Sequence, residues 1–193
     1  MTVLVKICGL TDSAAVDAAV EAGADAVGFV FAQSVREITP AHAVKIAANV
    51  PRRVLRVAVM LHPGPELWAE VFDRFSPDVL QTDASDFDYL AVPLSIRRWP
   101  VIREGSDALK LPAEFVYEGG SSGRGTPVDW QMASQFAGLG RMILAGGLSP
   151  DNVAQAVSEV GPFGVDVSSA VESAPGKKDP RKIRAFINAA RSA

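Results

Sequence analysis

The feature that most constrains the fold is an alternation that repeats along the chain: a short apolar run, a polar turn and then an amphipathic stretch. Short runs rich in β-branched residues are typical of strands buried on both faces of a parallel sheet. The amphipathic stretches carry apolar residues at the spacing of one helix face. Eight strand candidates fall at residues 3–7, 26–31, 54–60, 78–81, 99–103, 114–118, 142–145 and 163–167.

Eight such units in a chain of 193 residues predict an α/β fold, a compact (βα)8 or TIM barrel, that occupies residues 1–193 as a single domain. A doubly wound parallel sheet is the alternative. The alternation weakens in the middle of the chain, and we therefore expect shortened or missing helices around residues 82–112.

Helix starts are marked by side chains that can accept a hydrogen bond from the first helical turn, often directly before a proline. We predict such N-caps at Thr11, Thr39, Asp129, Ser149 and Asp179. Their recurrence after strand candidates indicates that the units repeat one kind of strand-to-helix connection.

Charge and composition exclude several functions. The net charge of −3, without an extended basic run, argues against a nucleic-acid partner. The chain has no run of about 18 apolar residues that could span a membrane, and its apolar N-terminus is too short for a secretion signal. One cysteine, Cys8, cannot form an intramolecular disulfide, so we expect a cytoplasmic protein. His42 and His62 are expected on the surface, and we find no partners for a metal site.

Five polar side chains stand at or just beyond the carboxyl end of a strand candidate. Because these ends share one mouth in a barrel, we expect the side chains to converge there. Each of them alone also has an ordinary explanation, such as packing for a buried cysteine or solvation for a charged side chain. The five residues are Cys8, Arg36, Gln81, Glu118 and Asp166.

The loops after strands seven and eight have the composition of an anion site. Gly146 and Gly147 leave backbone N–H groups accessible, and Ser168 and Ser169 add hydroxyl groups and the expected start of a helix. Barrel enzymes often bind phosphate at these two strand ends. We therefore predict that these four residues bind a phosphate group.

Four segments carry a family resemblance, in matching order and spacing. Residues 6–11 read Lys-Ile-Cys-Gly-Leu-Thr, and the other segments are residues 23–31, 144–153 and 164–176. Together they resemble the phosphoribosylanthranilate isomerases over almost the whole chain, with the weak match confined to about residues 82–127.

The resemblance implies a barrel enzyme of tryptophan biosynthesis that needs no cofactor and no metal. Its reaction is an Amadori rearrangement of N-(5-phosphoribosyl)anthranilate to 1-(2-carboxyphenylamino)-1-deoxyribulose 5-phosphate, an aldose-to-ketose change that requires one general acid and one general base. The partner is thus a phosphorylated small molecule rather than a nucleic acid or a membrane, and we expect a monomer or a homodimer.

The resemblance also implies roles for the site residues. Cys8 matches the general base, Arg36 matches the arginine that pairs with the anthranilate carboxylate, and Gln81 and Asp166 match substrate-binding positions. Glu118 stands where the family has an aspartate as general acid, which extends the carboxyl group by one methylene. Residues 81–84 read Gln-Thr-Asp-Ala where the family has Gln-Leu-His-Gly, and the loop at 121–126 differs as well. We hypothesise that these departures compensate one another.

Two other functions stay open at this point. A broader isomerase would also accept the related aminoaldose of histidine biosynthesis, although that substrate calls for a second phosphate clamp. A degenerate barrel would bind a phosphorylated ligand without turnover, which the altered acid position motivates.

Overall fold

Eight short, largely buried segments form parallel strands, and each of them hydrogen-bonds to the next one along the chain. The computed structural model describes residues 2–105, 111–120 and 128–193. Pairing of the last strand with the first, which sets Asp166 opposite Lys6, closes the barrel. The (βα)8 prediction is therefore confirmed, and the open sheet is excluded. The strands are β1 (Leu4–Ile7), β2 (Ala26–Val30), β3 (Leu55–Val59), β4 (Val79–Asp83), β5 (Arg97–Arg103), β6 (Glu114–Glu118), β7 (Arg141–Leu144) and β8 (Gly164–Val167).

Helices cover the outside of the barrel. In the described part of the chain they are α1 (Ser13–Glu21), α2 (Pro40–Ile46), α3 (Pro65–Phe75), α4 (Trp130–Ala137), α5 (Val153–Val160) and α6 (Pro180–Arg191). The connection from β8 to α6 is elaborated by a 3-10 turn (Ser169–Val171) and by an antiparallel pair of short strands, β9 (Glu172–Ala174) and β10 (Lys177–Lys178).

The middle of the chain has the predicted irregularity. A single 3-10 turn, Ala84–Asp88, stands where a helix would follow β4. The connection from β5 to β6 includes residues 106–110, and the glycine-rich loop after β6 includes residues 121–127. Both of these segments lie outside the described residues. The hypothesis that the loop at 121–126 compensates for the other departures from the family therefore concerns residues that are not described, and it stays a prediction.

Three of the predicted helix caps are confirmed. The side chains of Thr39, Asp129 and Asp179 each accept a hydrogen bond from a backbone N–H of the helix that follows. Such a bond satisfies one of the N–H groups that have no partner within the first turn.

The caps predicted at Thr11 and Ser149 are wrong. The carboxylate of Asp12 caps α1, while the Thr11 hydroxyl donates to the carbonyl oxygen of Gly176, 3.0 Å away in the β9–β10 turn. Helix α5 begins only after Asn152, whose side chain accepts a hydrogen bond from the backbone N–H of Ser149 at 2.7 Å. At α1 a neighbouring carboxylate is therefore better placed than the predicted hydroxyl, whereas α5 begins without a side-chain cap.

The core has two layers separated by the sheet. Outward-facing side chains of the strands pack against the apolar faces of the helices. Inward-facing side chains fill the barrel itself, including Trp99, Val101, Val116 and Ile143. The Trp99 indole is fully buried and donates its N–H to the Glu114 carboxylate at 3.0 Å. Because the interior is packed, a ligand can enter the barrel at the carboxyl ends of the strands, where a pocket opens.

Candidate active site

The alternation of side chains along each strand decides which residues reach the barrel mouth. On β1, Val5 and Ile7 pack outward with the helices, so Lys6 and the following Cys8 point to the interior. The same alternation brings Gln81 and Asp83 inward on β4, Arg103 on β5, Glu118 on β6 and Asp166 on β8. Polar side chains thus form the top layer above the apolar filling of the barrel.

One pocket at this end of the barrel gathers every residue that the sequence nominated. Val30, Met60 and Val101 supply apolar wall to the same pocket. The roles assigned to the nominated residues stay predictions, but their convergence is what a site for one ligand requires. The nominated residues that line the pocket are Cys8, Arg36, Gln81, Glu118, Gly146, Gly147, Asp166, Ser168 and Ser169.

Cys8 is a free thiol just beyond the end of β1. Its backbone is held between strands, because its N–H donates to the Val167 carbonyl and its own carbonyl accepts from the Ser168 hydroxyl at 3.1 Å. Burial raises the pKa of the Cys8 thiol, and the nearby Lys6 ammonium opposes this only in part. The resting state at neutral pH is therefore the thiol.

Sequence reasoning did not nominate Lys6, which is fully buried, with Nζ 2.9 Å from Asp166 Oδ2. Burial disfavours the charged ammonium, but its interactions with Asp166, and to a smaller extent with Cys8, outweigh burial, and the net result is a raised pKa for Lys6. Lys6 therefore places a cation next to the thiol at neutral pH. A signal for it was present, because it stands two residues before Cys8 and so shares the inward face of β1.

Glycine at position 28 provides the space for these two side chains. A Cβ atom there would lie 3.1 Å from both the Cys8 sulfur and Lys6 Cε. Either contact is tighter than ordinary packing allows, so any larger residue would displace the thiol or the ammonium.

Arg36 is held by a carboxylate that the sequence reasoning missed. Its Nε and Nη2 donate to the two oxygens of Glu172 at 2.6 and 3.0 Å. Burial alone would raise the pKa of Glu172, but the hydrogen bonds from Arg36 and Lys178 lower it overall. The backbone of Gly9 packs against the Arg36 side chain, since a Cβ at Gly9 would approach Arg36 Cδ to 2.5 Å. Arg36 is thus fixed in place before any ligand arrives.

The predicted phosphate loops differ in detail from the expectation. Ser168 and Ser169 begin a three-residue 3-10 turn rather than a full helix. The missed Lys178 adds a cation, since its Nζ donates to the backbone carbonyl and the hydroxyl of Ser168 at 2.9 and 3.1 Å.

The β7 loop is shaped by two glycines. Gly146 and Gly147 have φ values of 91° and 68°, which a residue with a side chain rarely adopts. The Asn152 side chain closes this loop by donating to the Gly147 carbonyl at 2.9 Å.

The Glu118 carboxyl group lies beside a row of charged side chains along one side of the mouth. Arg103 Nη2 is 3.3 Å from Glu118 Oε1, and Arg103 Nη1 is 2.6 Å from Asp83 Oδ2. The hydrogen bond with Asp83 is the main cause of a raised pKa for Arg103. His62, on the outer side, has a 61% exposed side chain but also contacts Asp83 and Asp86, at 3.2 and 2.9 Å.

Two buried acceptors that belong to pocket-lining residues have no hydrogen-bond partner in the described part of the chain: Gln81 Oε1 and Asp166 Oδ1. Buried polar atoms usually have a hydrogen-bond partner, so acceptors of this kind in a pocket are suited to ligand hydroxyl groups.

Within the described residues, no helix has both the length and the apolar character needed to cross a membrane.

Comparison with known proteins points in the same direction. A family model described as N-(5'phosphoribosyl)anthranilate (PRA) isomerase matches residues 5–189. The N-(5'-phosphoribosyl)anthranilate isomerase of Paracoccus denitrificans is 38% identical over 97% of this chain and 96% of its own. A phosphoribosyl anthranilate isomerase solved in complex with reduced 1-(o-carboxyphenylamino)-1-deoxyribulose 5-phosphate superposes with a TM-score of 0.85, at 34% identity over 100% of both chains.

A structure of monomers of the dimeric isomerase from Thermotoga maritima has a TM-score of 0.82 at 32% identity, again over 100% of both chains. These similarities extend over the whole barrel rather than over one motif. The chain therefore belongs to the N-(5'-phosphoribosyl)anthranilate isomerase family.

Proposed function

We propose that this chain catalyses the Amadori rearrangement of N-(5-phosphoribosyl)anthranilate to 1-(2-carboxyphenylamino)-1-deoxyribulose 5-phosphate, with Cys8 as general base and Glu118 as general acid. The observation that carries the proposal is the shared pocket, which brings together the Cys8 thiol, the Glu118 carboxyl group, the anchored Arg36 and the two loops with the composition of an anion site. An aminoaldose with a carboxylate at one end and a phosphate at the other matches this order of groups.

The reaction needs one proton delivered and one removed. The Glu118 carboxylic acid protonates the ring oxygen, the bond from that oxygen to C1′ breaks, and the nitrogen lone pair forms an iminium with C1′. The Cys8 thiolate then removes the proton from C2′, and the electrons of that C–H bond form the C1′–C2′ double bond of an enolamine. Tautomerisation, with a proton added at C1′ and the hydroxyl proton at C2′ lost, gives the aminoketose.

Lys6 supports the base step electrostatically. Cys8 must become a thiolate, which burial opposes and the Lys6 cation favours. The iminium brings a further positive charge near the sulfur when the thiolate is required. A base with a high resting pKa is thus stabilised in its charged form at the point in the reaction where it acts.

The two ends of the substrate would be bound by charge. Arg36, oriented by Glu172, binds the anthranilate carboxylate through a charge-assisted hydrogen bond. Gly146, Gly147, Ser168 and Ser169 bind the phosphate, and the buried acceptors of Gln81 and Asp166 receive the hydroxyl groups of the ribose.

The remaining expectations are part of the proposal. The barrel accounts for residues 1–193 as one domain, which the family match over residues 5–189 supports. A monomer or a homodimer in the cytoplasm fits a family that includes a dimeric relative in Thermotoga maritima.

The test is turnover by protein purified from a host that lacks this activity. We expect the wild-type protein to form product, and Cys8→Ala and Glu118→Gln each to lower kcat by about 100-fold or more, the usual contribution of a general acid or base. Wild-type protein that binds the substrate without forming product would contradict the proposal and favour a binding barrel. Unchanged rates in both variants would remove the two residues from the mechanism.

A further inference from the structure

The carboxyl end of β5 places one guanidinium between two carboxyl groups. Arg103 and Glu118 are register partners on β5 and β6, and Asp83 ends the neighbouring β4. Arg103 donates to Asp83 at 2.6 Å and lies 3.3 Å from Glu118. All three side chains are at most one quarter exposed, with values of 24%, 12% and 13% for Arg103, Asp83 and Glu118.

We propose that Arg103 is the positioning residue of the general acid: it fixes the direction of the Glu118 carboxyl group, and Asp83 fixes Arg103. This inference rests on the proposed function, because it concerns the residue that donates the proton. Arginine is suited to the task, since its planar fork presents N–H groups in two directions and can hold two carboxylates at once.

The two residues that lie beside the Arg103 guanidinium are both positions at which this chain departs from the family that it resembles. Asp83 stands where the family has histidine, and Glu118 stands where it has aspartate. The extra methylene gives Glu118 the length to approach Arg103, and the carboxylate of Asp83 supplies the counter-charge that keeps Arg103 from turning fully toward the acid. The two substitutions are therefore parts of one arrangement rather than separate losses.

Arg103 also has a chemical effect on the proton transfer. Once the carboxylic acid has given its proton to the ring oxygen, Glu118 is an anion in a partly buried pocket. A guanidinium already in place stabilises that anion without rearrangement, which lowers the barrier to ring opening more than it stabilises the bound substrate. The contribution of Arg103 should therefore fall on kcat rather than on KM.

A merely structural ion pair between the same strands offers a matched control. Arg97 and Glu114 lie at the opposite, amino-terminal ends of β5 and β6, with Arg97 Nη2 2.8 Å from Glu114 Oε2. Arg97→Met removes an arginine–glutamate pair from the same two strands without touching the pocket. Its effect on stability measures what the loss of such a pair does to the barrel alone.

The experiment is a double-mutant cycle on kcat, with Arg103→Met, Glu118→Asp and the combined variant, beside Arg97→Met. We expect Arg103→Met to lower kcat by about 10- to 100-fold with KM within about threefold, since misplacing a catalytic group by about 1 Å can cost that much. In the Glu118→Asp background, where the shorter side chain has already lost the contact, Arg103→Met should cost less than about threefold. Arg97→Met should change kcat less than about twofold. Arg103→Lys, which keeps the charge but not the fork, should lie between wild type and Arg103→Met.

The outcomes separate the two claims. Glu118→Gln with wild-type kcat would refute the proposed acid itself. If Glu118→Gln is inactive but Arg103→Met has an unchanged kcat, the positioning role is overturned and the acid stays in place. The same holds if Arg103→Met lowers kcat equally in the wild-type and the Glu118→Asp backgrounds. If Arg103→Met does not fold, Arg103→Lys is the deciding variant. A kcat within about twofold of wild type would contradict a positioning role for the planar guanidinium, and a kcat lowered by about fivefold or more with unchanged KM would support that role.

Discussion

Removal of the buried cation next to the Cys8 thiol, by Lys6→Met, should destabilise the barrel by several kcal/mol. Lys6 is fully buried and its ammonium lies 2.9 Å from the Asp166 carboxylate, which has only 9% of its side chain exposed. Breaking a buried pair by deleting one partner leaves an uncompensated charge and costs about 3–5 kcal/mol. For a chain of this size, that lowers the unfolding midpoint by about 6–20 °C.

Urea denaturation followed by tryptophan fluorescence measures this effect. Lys45→Met, an exposed lysine in the last turn of α2, is the control and should stay within about 0.5 kcal/mol of wild type. Adding Asp166→Asn to Lys6→Met removes the stranded charge and should recover more than half of the loss. A Lys6→Met variant within about 1 kcal/mol of wild type would refute the reasoning, because it would mean that the pair is not effectively buried.

The same substitution also changes the pH dependence of turnover. In the proposed mechanism Cys8 acts as a thiolate, so the rate should rise as pH increases through the pKa of the thiol. Lys6 is a cation that lowers this pKa, and its loss raises the pKa further. The rising limb of the pH–rate profile should therefore move to higher pH in Lys6→Met, and a limb that stays in place would contradict the electrostatic role of Lys6.

Three further substitutions test separate parts of the site. Glu172→Gln should destabilise the protein at pH 7, and because the pKa of Glu172 is lowered on folding, the difference in unfolding free energy from wild type should shrink as pH falls below about 4. Arg36→Met should raise KM by about 10- to 100-fold in steady-state kinetics through loss of a charge-assisted hydrogen bond, and an unchanged KM would remove Arg36 from substrate binding. Gly28→Ala places a Cβ 3.1 Å from the Cys8 sulfur, so kcat should fall by about 10-fold or more while the protein still folds; wild-type kcat would show that the thiol position is not critical.

The barrel fold and the residues that line its mouth could be predicted from the sequence, because both depend on local periodicity. Strand candidates recur in order, and any polar residue at the end of a parallel strand must point to the same rim. Cys8 and Glu118 could be assigned to one pocket on this basis, although they are far apart in the chain. Thr39 and Asp179 were predictable as caps for a similar local reason, because the residue that follows each of them is a proline suited to the first helical turn.

The partners of these residues depend on closure of the barrel, which periodicity does not specify. Lys6 meets Asp166 only because β1 pairs with β8, and Arg36 meets Glu172 because the loop after β2 lies against the insertion after β8. The incorrect cap at Ser149 has a related cause. The Asn152 side chain bonds to Ser149 and Gly147 within the loop after β7, and α5 begins after this residue without a side-chain cap.

The most direct test of the mechanism is release of label from substrate that carries deuterium at C2′, followed in single turnovers of wild-type protein and of Cys8→Ala. Wild-type protein should release deuterium to solvent at the rate of turnover. Cys8→Ala should release it at least about 100-fold more slowly while the affinity for substrate changes less than about threefold. Deuterium release by Cys8→Ala at close to the wild-type rate would contradict the assignment of Cys8 as the base.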